Sequence, residues 1–473
     1  MSLTKKAYAA VSDTYERSLS DGVKKENGVF YTDLPLAEKM LRELALPPGA
    51  VVMDPCCGAG AFLYAAYRRG HRRLYGVDCD AKVIDQCRRH LPGIAFSVAD
   101  SIGPQAGATL KTAGLCTQPD ALIGNPPYVP LTGGTSLSGN VAFRQQVARC
   151  GSNLFVAALL RAFDLVQPGG IISYIVPKNL LHVAGYSELR RLILTQKTIL
   201  SIVDLGAYFK NVRGEQIVLT LQNAPAPLGH GIRLKRLEEN RFAPLCRIRQ
   251  SSYTDEILLF DSAADRDVYR HLTSNFQTLG EQVQGMARGR SNSGKAVTGK
   301  NIRKFGYKDR ALPQTGSRVF IQNIYSSESG VIAAFGGELE AAETVTVLSG
   351  TDPELCRYLL GLLHSRLCNL FLFKYCYNSS RLTMHADAKY LSKIPLPPMD
   401  RAGQSFREIV GLVSRLENGA YMSRAWMEDL ERLHEAVYTA YGLTREQADE
   451  IDRAMMKVQS RRWFTDGRIE ALQ

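Results

Sequence analysis

Val51-Val-Met-Asp54-Pro55-Cys-Cys-Gly58-Ala-Gly60-Ala-Phe62-Leu63 reads as a short apolar strand, a tight glycine turn and the opening of a helix. Gly58 and Gly60 let the backbone turn sharply and approach a ligand closely, as glycine-rich strand-to-helix turns do. Working outward, short apolar runs alternate with amphipathic stretches from about Gly49 to Leu221, the pattern of strands and crossover helices around a parallel sheet. Strands are expected at Val51–Asp54, Leu74–Asp78, Ile94–Ala99, Ala121–Gly124, Ile171–Val176, Ile199–Leu205 and Gln216–Leu221. Helices are expected at Phe62–Arg69, Ala81–His90, Leu154–Val166 and Ser187–Gln196.

Three of these strands end in a carboxylate: Asp54, Asp78 of Gly76-Val-Asp, and Asp100 of Ala99-Asp-Ser-Ile. Asp78 is placed where the end of a neighbouring strand offers an acceptor to ribose hydroxyls, and Asp100 can bond an adenine amino group. The turn reads Gly58-Ala-Gly-Ala-Phe-Leu, so the phosphate-binding pattern GxGxxG is not matched. An acidic residue directly before the turn disfavours a pyrophosphate and suits the amine or sulfonium of S-adenosylmethionine.

Asn125-Pro126-Pro127-Tyr128 follows the apolar run Ala121-Leu-Ile-Gly. Two prolines fix φ and remove two backbone donors, which leaves a stiff turn whose carbonyls must find other partners. The Asn125 side-chain carbonyl and the Pro126 main-chain carbonyl form an acceptor pair suited to both hydrogens of one NH2 group. Tyr128 offers a flat face for stacking a base, worth ~1–3 kcal/mol.

With these motifs the sequence resembles the S-adenosylmethionine-dependent amino-methyltransferases, and within them the gamma-class DNA adenine-N6 methyltransferases. Gly28-Val-Phe-Tyr31-Thr32 looks like the family's N-terminal methionine-binding motif, and the order of cofactor loop, NPPY turn and C-terminal recognition region is that of the gamma class. Pro168-Gly-Gly and Asp204-Leu-Gly-Ala-Tyr208-Phe209 fall where the family has a strand and a base-stacking aromatic; Phe209 is the better candidate and Tyr208 the alternate. Leu359-Leu-Gly-Leu-Leu-His364-Ser-Arg-Leu and Ile394-Pro-Leu-Pro-Pro398 resemble the family's specificity domain, with His364 in place of the usual Asn.

The resemblance implies a Rossmann-like α/β fold, a seven-stranded methyltransferase sheet whose last strand is antiparallel, followed by an α+β DNA-recognition domain and a helical tail. It implies cofactor contacts from Tyr31, Thr32, Asp54, Pro55, Gly58, Gly60, Phe62, Asp78, Asp100, Ser101 and Asn125. Catalysis falls to Asn125, Pro126, Pro127 and Tyr128, with Tyr128 and Phe209 holding the extruded base.

Domain boundaries are expected at Ala224-Pro-Ala-Pro-Leu-Gly-His, giving a catalytic domain 1–225, a recognition domain 226–400 and a tail 401–473. Gly285 to Lys308 reads as an extended basic loop, whose Arg288, Arg290, Lys295, Lys300, Arg303 and Lys304 suit phosphate contacts; Arg381 is a further candidate.

The 473 residues, 45% hydrophobic and 22% charged, suit a globular chain of more than one domain, and the net charge of +12 is compatible with a polyanionic partner. The densest apolar run, Leu359 to Phe373, is interrupted by His364 and Arg366, so no membrane span is expected. The first residues lack the apolar core of a secretory signal, which with ten cysteines but no CxxC or zinc-ligand spacing leads to the expectation of reduced thiols in a cytoplasmic, nucleoid-associated protein without metal.

The expected activity is methyl transfer from S-adenosylmethionine to N6 of an adenine in double-stranded DNA, as the modification component of a restriction-modification system with a separate restriction endonuclease. The alternatives are an RNA or protein-glutamine N-methyltransferase, or a catalytically silent DNA-binding subunit.

Overall fold

The computed structural model describes Tyr8 and residues 32–103, 105–131, 137, 140–209, 214–283, 285–350, 352–380, 382 and 384–459. The chain forms two compact units, Met1–Ile257 and Leu258–Gln473.

The first unit is built on one nine-stranded sheet. Its strands are β1 Val51–Asp54, β2 Arg73–Asp78, β3 Ala95–Val98, β4 Ala121–Gly124, β5 Ile171–Pro177, β6 Thr198–Gly206, β7 Gln216–Gln222, β8 Gly231–Glu238 and β9 Arg241–Arg249, in the spatial order β3-β2-β1-β4-β5-β7-β6-β8-β9. β1 to β5 are mutually parallel, and β7 runs antiparallel between β5 and β6. β1 and β4 are buried at every position, as strands covered on both faces must be, which is why they are legible as unbroken apolar runs. The strand order reverses between β1 and β4, the topological switch point where open α/β sheets bind ligands beyond the carboxyl ends of their strands.

The sheet exceeds the expected seven strands by β8 and β9, so the first unit runs past the boundary expected near 225. Pro225, Pro227 and Gly229, the last at φ 77°, turn the chain from β7 into β8. β8 keeps a strand's alternation, with Ile232 and Leu234 buried and Arg233 exposed between them.

In the second unit Met286–Arg288, Val345–Ser349, Arg318–Gln322 and Ala333–Phe335 form a four-stranded antiparallel sheet, in that order. The helix Pro353–His364 packs on Gln404–Asn418, where a Cβ at Gly361 would come within 2.5 Å of Ile409, so glycine permits the close approach. The described residues of the expected tail, 401–459, therefore pack within this unit. His364 joins this helix to the sheet: its Nε2 accepts from the Ala333 N–H at 3.2 Å, while Nδ1 lies 2.9 Å from the Leu360 carbonyl. Burial and the nearby Lys304 push its pKa down to about 3, so it packs as a neutral imidazole.

Candidate active site

Asp54 closes β1 and is 1% exposed. Its Oδ1 accepts from the Cys56 N–H at 3.1 Å, and its Oδ2 has no hydrogen-bond partner among the described residues. Burial raises its pKa well above the usual carboxylate value, against the Cys56 hydrogen bond and with a smaller push from Asp78. A buried carboxylate oxygen left in this way is costly to the protein alone and favourable once a cation meets it.

The glycine turn follows. Gly58 at φ 46° and Gly60 at φ 78° are both left-handed, which explains the residue type at each. The Gly58 N–H donates to Asp78 Oδ2 at 2.8 Å, and the Asp80 N–H to Asp78 Oδ1 at 3.0 Å. Asp78 thus fastens the turn to the end of β2, and burial raises its pKa despite these bonds. Ser101 is buried and donates to the Pro55 carbonyl, while Asp100 is exposed and takes the Ile102 N–H at 2.9 Å. Thr32 is buried with its hydroxyl unpartnered among the described residues. Phe62, 3% exposed, lies in the core cluster beneath the turn, and Tyr31 lies outside the described residues.

β4 brings the second motif beside the first. A Cβ on Gly124 would sit 2.8 Å from Asp54 Oδ1, so only glycine leaves this carboxylate its place one residue before Asn125. Gly124→Ala is accordingly expected to displace the Asp54 carboxylate and lower the thermal unfolding midpoint, by about 1–3 kcal/mol of overpacking, as measured by calorimetry. The Tyr128 hydroxyl lies 2.5 Å from Asn125 Oδ1 and 3.0 Å from the Ile175 carbonyl. One hydroxyl proton cannot serve both, so a shift toward Ile175 frees an Asn125 lone pair for another donor. The Tyr128 ring meets Phe155 edge-on at 6.2 Å, and burial raises its hydroxyl pKa. Pro126 is buried and Pro127 half-buried.

Tyr208 donates to Asp33 Oδ2 at 2.7 Å, and its ring stands edge-on to Phe209 at 5.2 Å. Both rings are half-buried against the core.

Sequence reading missed a buried ion cluster at this sheet edge. Lys178 follows β5, is 3% exposed, and lies 2.9 Å from Asp204 Oδ2 and 3.1 Å from Glu215 Oε2. Burial opposes its charge, but the two carboxylates prevail and hold its pKa above the ordinary value. Asp204 also accepts from the Gly206 N–H at 3.0 Å, which ties the cluster to the approach to Tyr208 and Phe209.

No cysteine in this site has the character of a nucleophile. Burial, with Asp78 and Asp54 nearby, keeps the Cys56 and Cys57 thiols protonated, and none of the ten cysteines is in a disulfide. Among the described residues no group of three His, Cys, Asp or Glu could hold a metal ion, and no helix is long and apolar enough to cross a membrane.

In the second unit the expected basic loop is partly ordered into the strand Met286–Arg288 and the paired segments Ile302–Arg303 and Gly306–Tyr307. Arg288, Arg290, Lys295 and Lys300 are exposed. Arg303 is half-buried with its guanidinium 4.6 Å from the Tyr421 ring centre. Lys304 is 9% exposed, and burial together with Arg366 lowers its pKa to about 8, so its side chain does not offer the exposed cation expected of it. Arg381 lies outside the described residues.

Residues 116–209 match the family model described as Eco57I restriction-modification methylase. The chain is 27% identical over 220 residues to the Type II methyltransferase M.VspI of Vibrio sp. (strain 343), covering 45% of this chain and 52% of that one. It is 24% identical over 224 residues to the modification methylase CviBIII of Paramecium bursaria Chlorella virus NC1A, covering 46% and 55%. It thus spans about half the length of these curated relatives. The fold is shared with the Type IIL restriction-modification enzyme MmeI, solved in complex with DNA, at a TM-score of 0.58 and 12% identity over 96% of this chain and 82% of that one. The family match and the curated relatives together relate this chain to the DNA methyltransferases of restriction-modification type.

Proposed function

We propose that the protein transfers a methyl group from S-adenosylmethionine to N6 of an adenine extruded from duplex DNA, as the modification activity of a restriction-modification system. The observation that carries this reading is the junction of β1 and β4, where the unpartnered Asp54 Oδ2 and the Asn125 turn share the switch point. The site fits the cofactor: it holds a buried carboxylate for a cation, left-handed glycines for close backbone approach, and Asp78 and Asp100 on the adjoining strands.

When bound, the cofactor supplies an electrophilic methyl group on a sulfonium. Asp54 would hold its positive methionine end, Asp78 its ribose and Asp100 its adenine. Asn125 Oδ1 and the Pro126 carbonyl accept hydrogens from the target amine, which draws the nitrogen lone pair out of conjugation and aims it at the methyl carbon. Tyr128 and Phe209 hold the base, extruded at a cost of a few kcal/mol. The chemistry rests on positioning, which alone can supply several kcal/mol of the barrier. We assign catalysis to the first unit, target recognition to the second, and cleavage to a separate endonuclease.

The pH dependence of binding tests the role of Asp54. Its raised pKa means that a proton must leave before the cofactor cation is met, so affinity should rise with pH through that pKa and level off above it. Asp54→Asn should bind S-adenosylmethionine at least tenfold more weakly and lose the slope, as measured by calorimetry across pH. For the substrate, tritium from labelled cofactor should appear in duplex DNA; label appearing instead in structured RNA or protein would overturn the reading.

A further inference from the structure

The four-stranded sheet of the second unit carries an arginine that is exposed yet held. Arg288 ends its strand opposite Thr346, and the next residue, Gly289, donates its N–H to the Val345 carbonyl at 2.9 Å. A Cβ on Gly289 would lie 2.4 Å from the Ala341 and Ala342 carbonyl oxygens, so the backbone is pinned here by a contact that only glycine allows. The side chain is held as well. In the amide orientation that satisfies both groups, Asn323 Oδ1 accepts from Arg288 Nη2 at 3.2 Å and Nε at 3.3 Å. Asn323 is itself 6% exposed, with its N–H on the Thr344 carbonyl and its C=O taking the Ala386 N–H, both at 3.0 Å.

We propose that Arg288 reads a guanine edge in the major groove of the target duplex; this rests on the DNA-methyltransferase reading above and deepens it. Phosphate contacts fix register without reading sequence, a task that exposed residues such as Arg290, Lys295 and Lys300 can serve. Base reading instead needs a guanidinium fixed in one plane. Asn323 occupies the Nε edge of the fork. Nη1 and the second hydrogen of Nη2 are left for a ligand, and two parallel donors match the O6 and N7 acceptors of guanine. Ile324, next to Asn323, is 53% exposed and adds an apolar surface of the kind that meets a thymine methyl group.

A random duplex library, methylated by the full-length protein and sequenced for modified bases, tests this. Wild type should yield a motif with a required G·C pair. R288A, a change at an exposed side chain, should lose about tenfold or more of the discrimination at that pair and keep every other position. N323L, which leaves both Asn323 backbone bonds untouched, should relax the same pair and no other. An R288A motif identical to wild type, with binding uniformly weaker on all sequences and a salt slope reduced by about one, would make Arg288 a phosphate contact and overturn the inference alone. A wild-type protein that methylates no duplex would overturn the functional reading and this inference with it.

Discussion

Asn125→Ala protein is expected to lose at least about 10²-fold to 10³-fold in methyl transfer to DNA, the range found when one preorganised hydrogen-bonding group is removed from a reacting centre. Its affinity for S-adenosylmethionine should change far less, because Asp54, the glycine turn and Asp78 are untouched. The loss should fall on the single-turnover rate, since in the proposed mechanism the amide acts where the amine lone pair is being aimed. Tyr128→Phe separates the two groups of the turn. It keeps the ring but removes the hydroxyl that lies 2.5 Å from Asn125 Oδ1, so its rate should fall much less than that of Asn125→Ala.

The second large effect concerns stability. Lys178→Met leaves Asp204 and Glu215 buried without their shared cation, a change that costs about 3–5 kcal/mol when one partner of a buried ion pair is removed. Urea unfolding of the mutant should show that loss as a lower midpoint. Replacing Lys178, Asp204 and Glu215 together with Met, Leu and Met should recover part of it, because the three buried charges go together, although the half-buried Arg236, 3.9 Å from Asp204 Oδ2, then loses that partner. Recovery should be incomplete, since Asp204 also accepts from the Gly206 N–H.

The parts of the fold that were legible in the sequence are those where burial and local chain chemistry agree. β1 and β4 are covered on both faces, so their residues are apolar throughout, and each is closed by a turn with its own signature. Asp54, Asn125 and Tyr128 stand out in the sequence for the same reason: Asp54 ends one such strand, and Asn125 and Tyr128 follow the other within a few residues. β8 and β9 were hidden because most of their exposed positions carry arginine, and the proline-glycine turn before them has the composition of a linker although it only reverses the chain.

Long-range pairing was beyond the sequence. Lys178 reads as an ordinary polar residue after a strand, and its partner Asp204 lies 26 positions away. Lys304 reads as one more cation in a basic segment, and its burial follows from how the rest of the second unit packs. Arg288 and Asn323 are unremarkable apart, and only the pairing of the strand ends brings them together.

The most direct measurement is mass spectrometry of nucleosides from duplex DNA incubated with the wild-type protein and isotopically labelled S-adenosylmethionine. The account predicts label in N6-methyladenine, absent from DNA treated with Asn125→Ala. Label confined to a methylated cytosine, or N6-methyladenine formed equally well by Asn125→Ala, would contradict it.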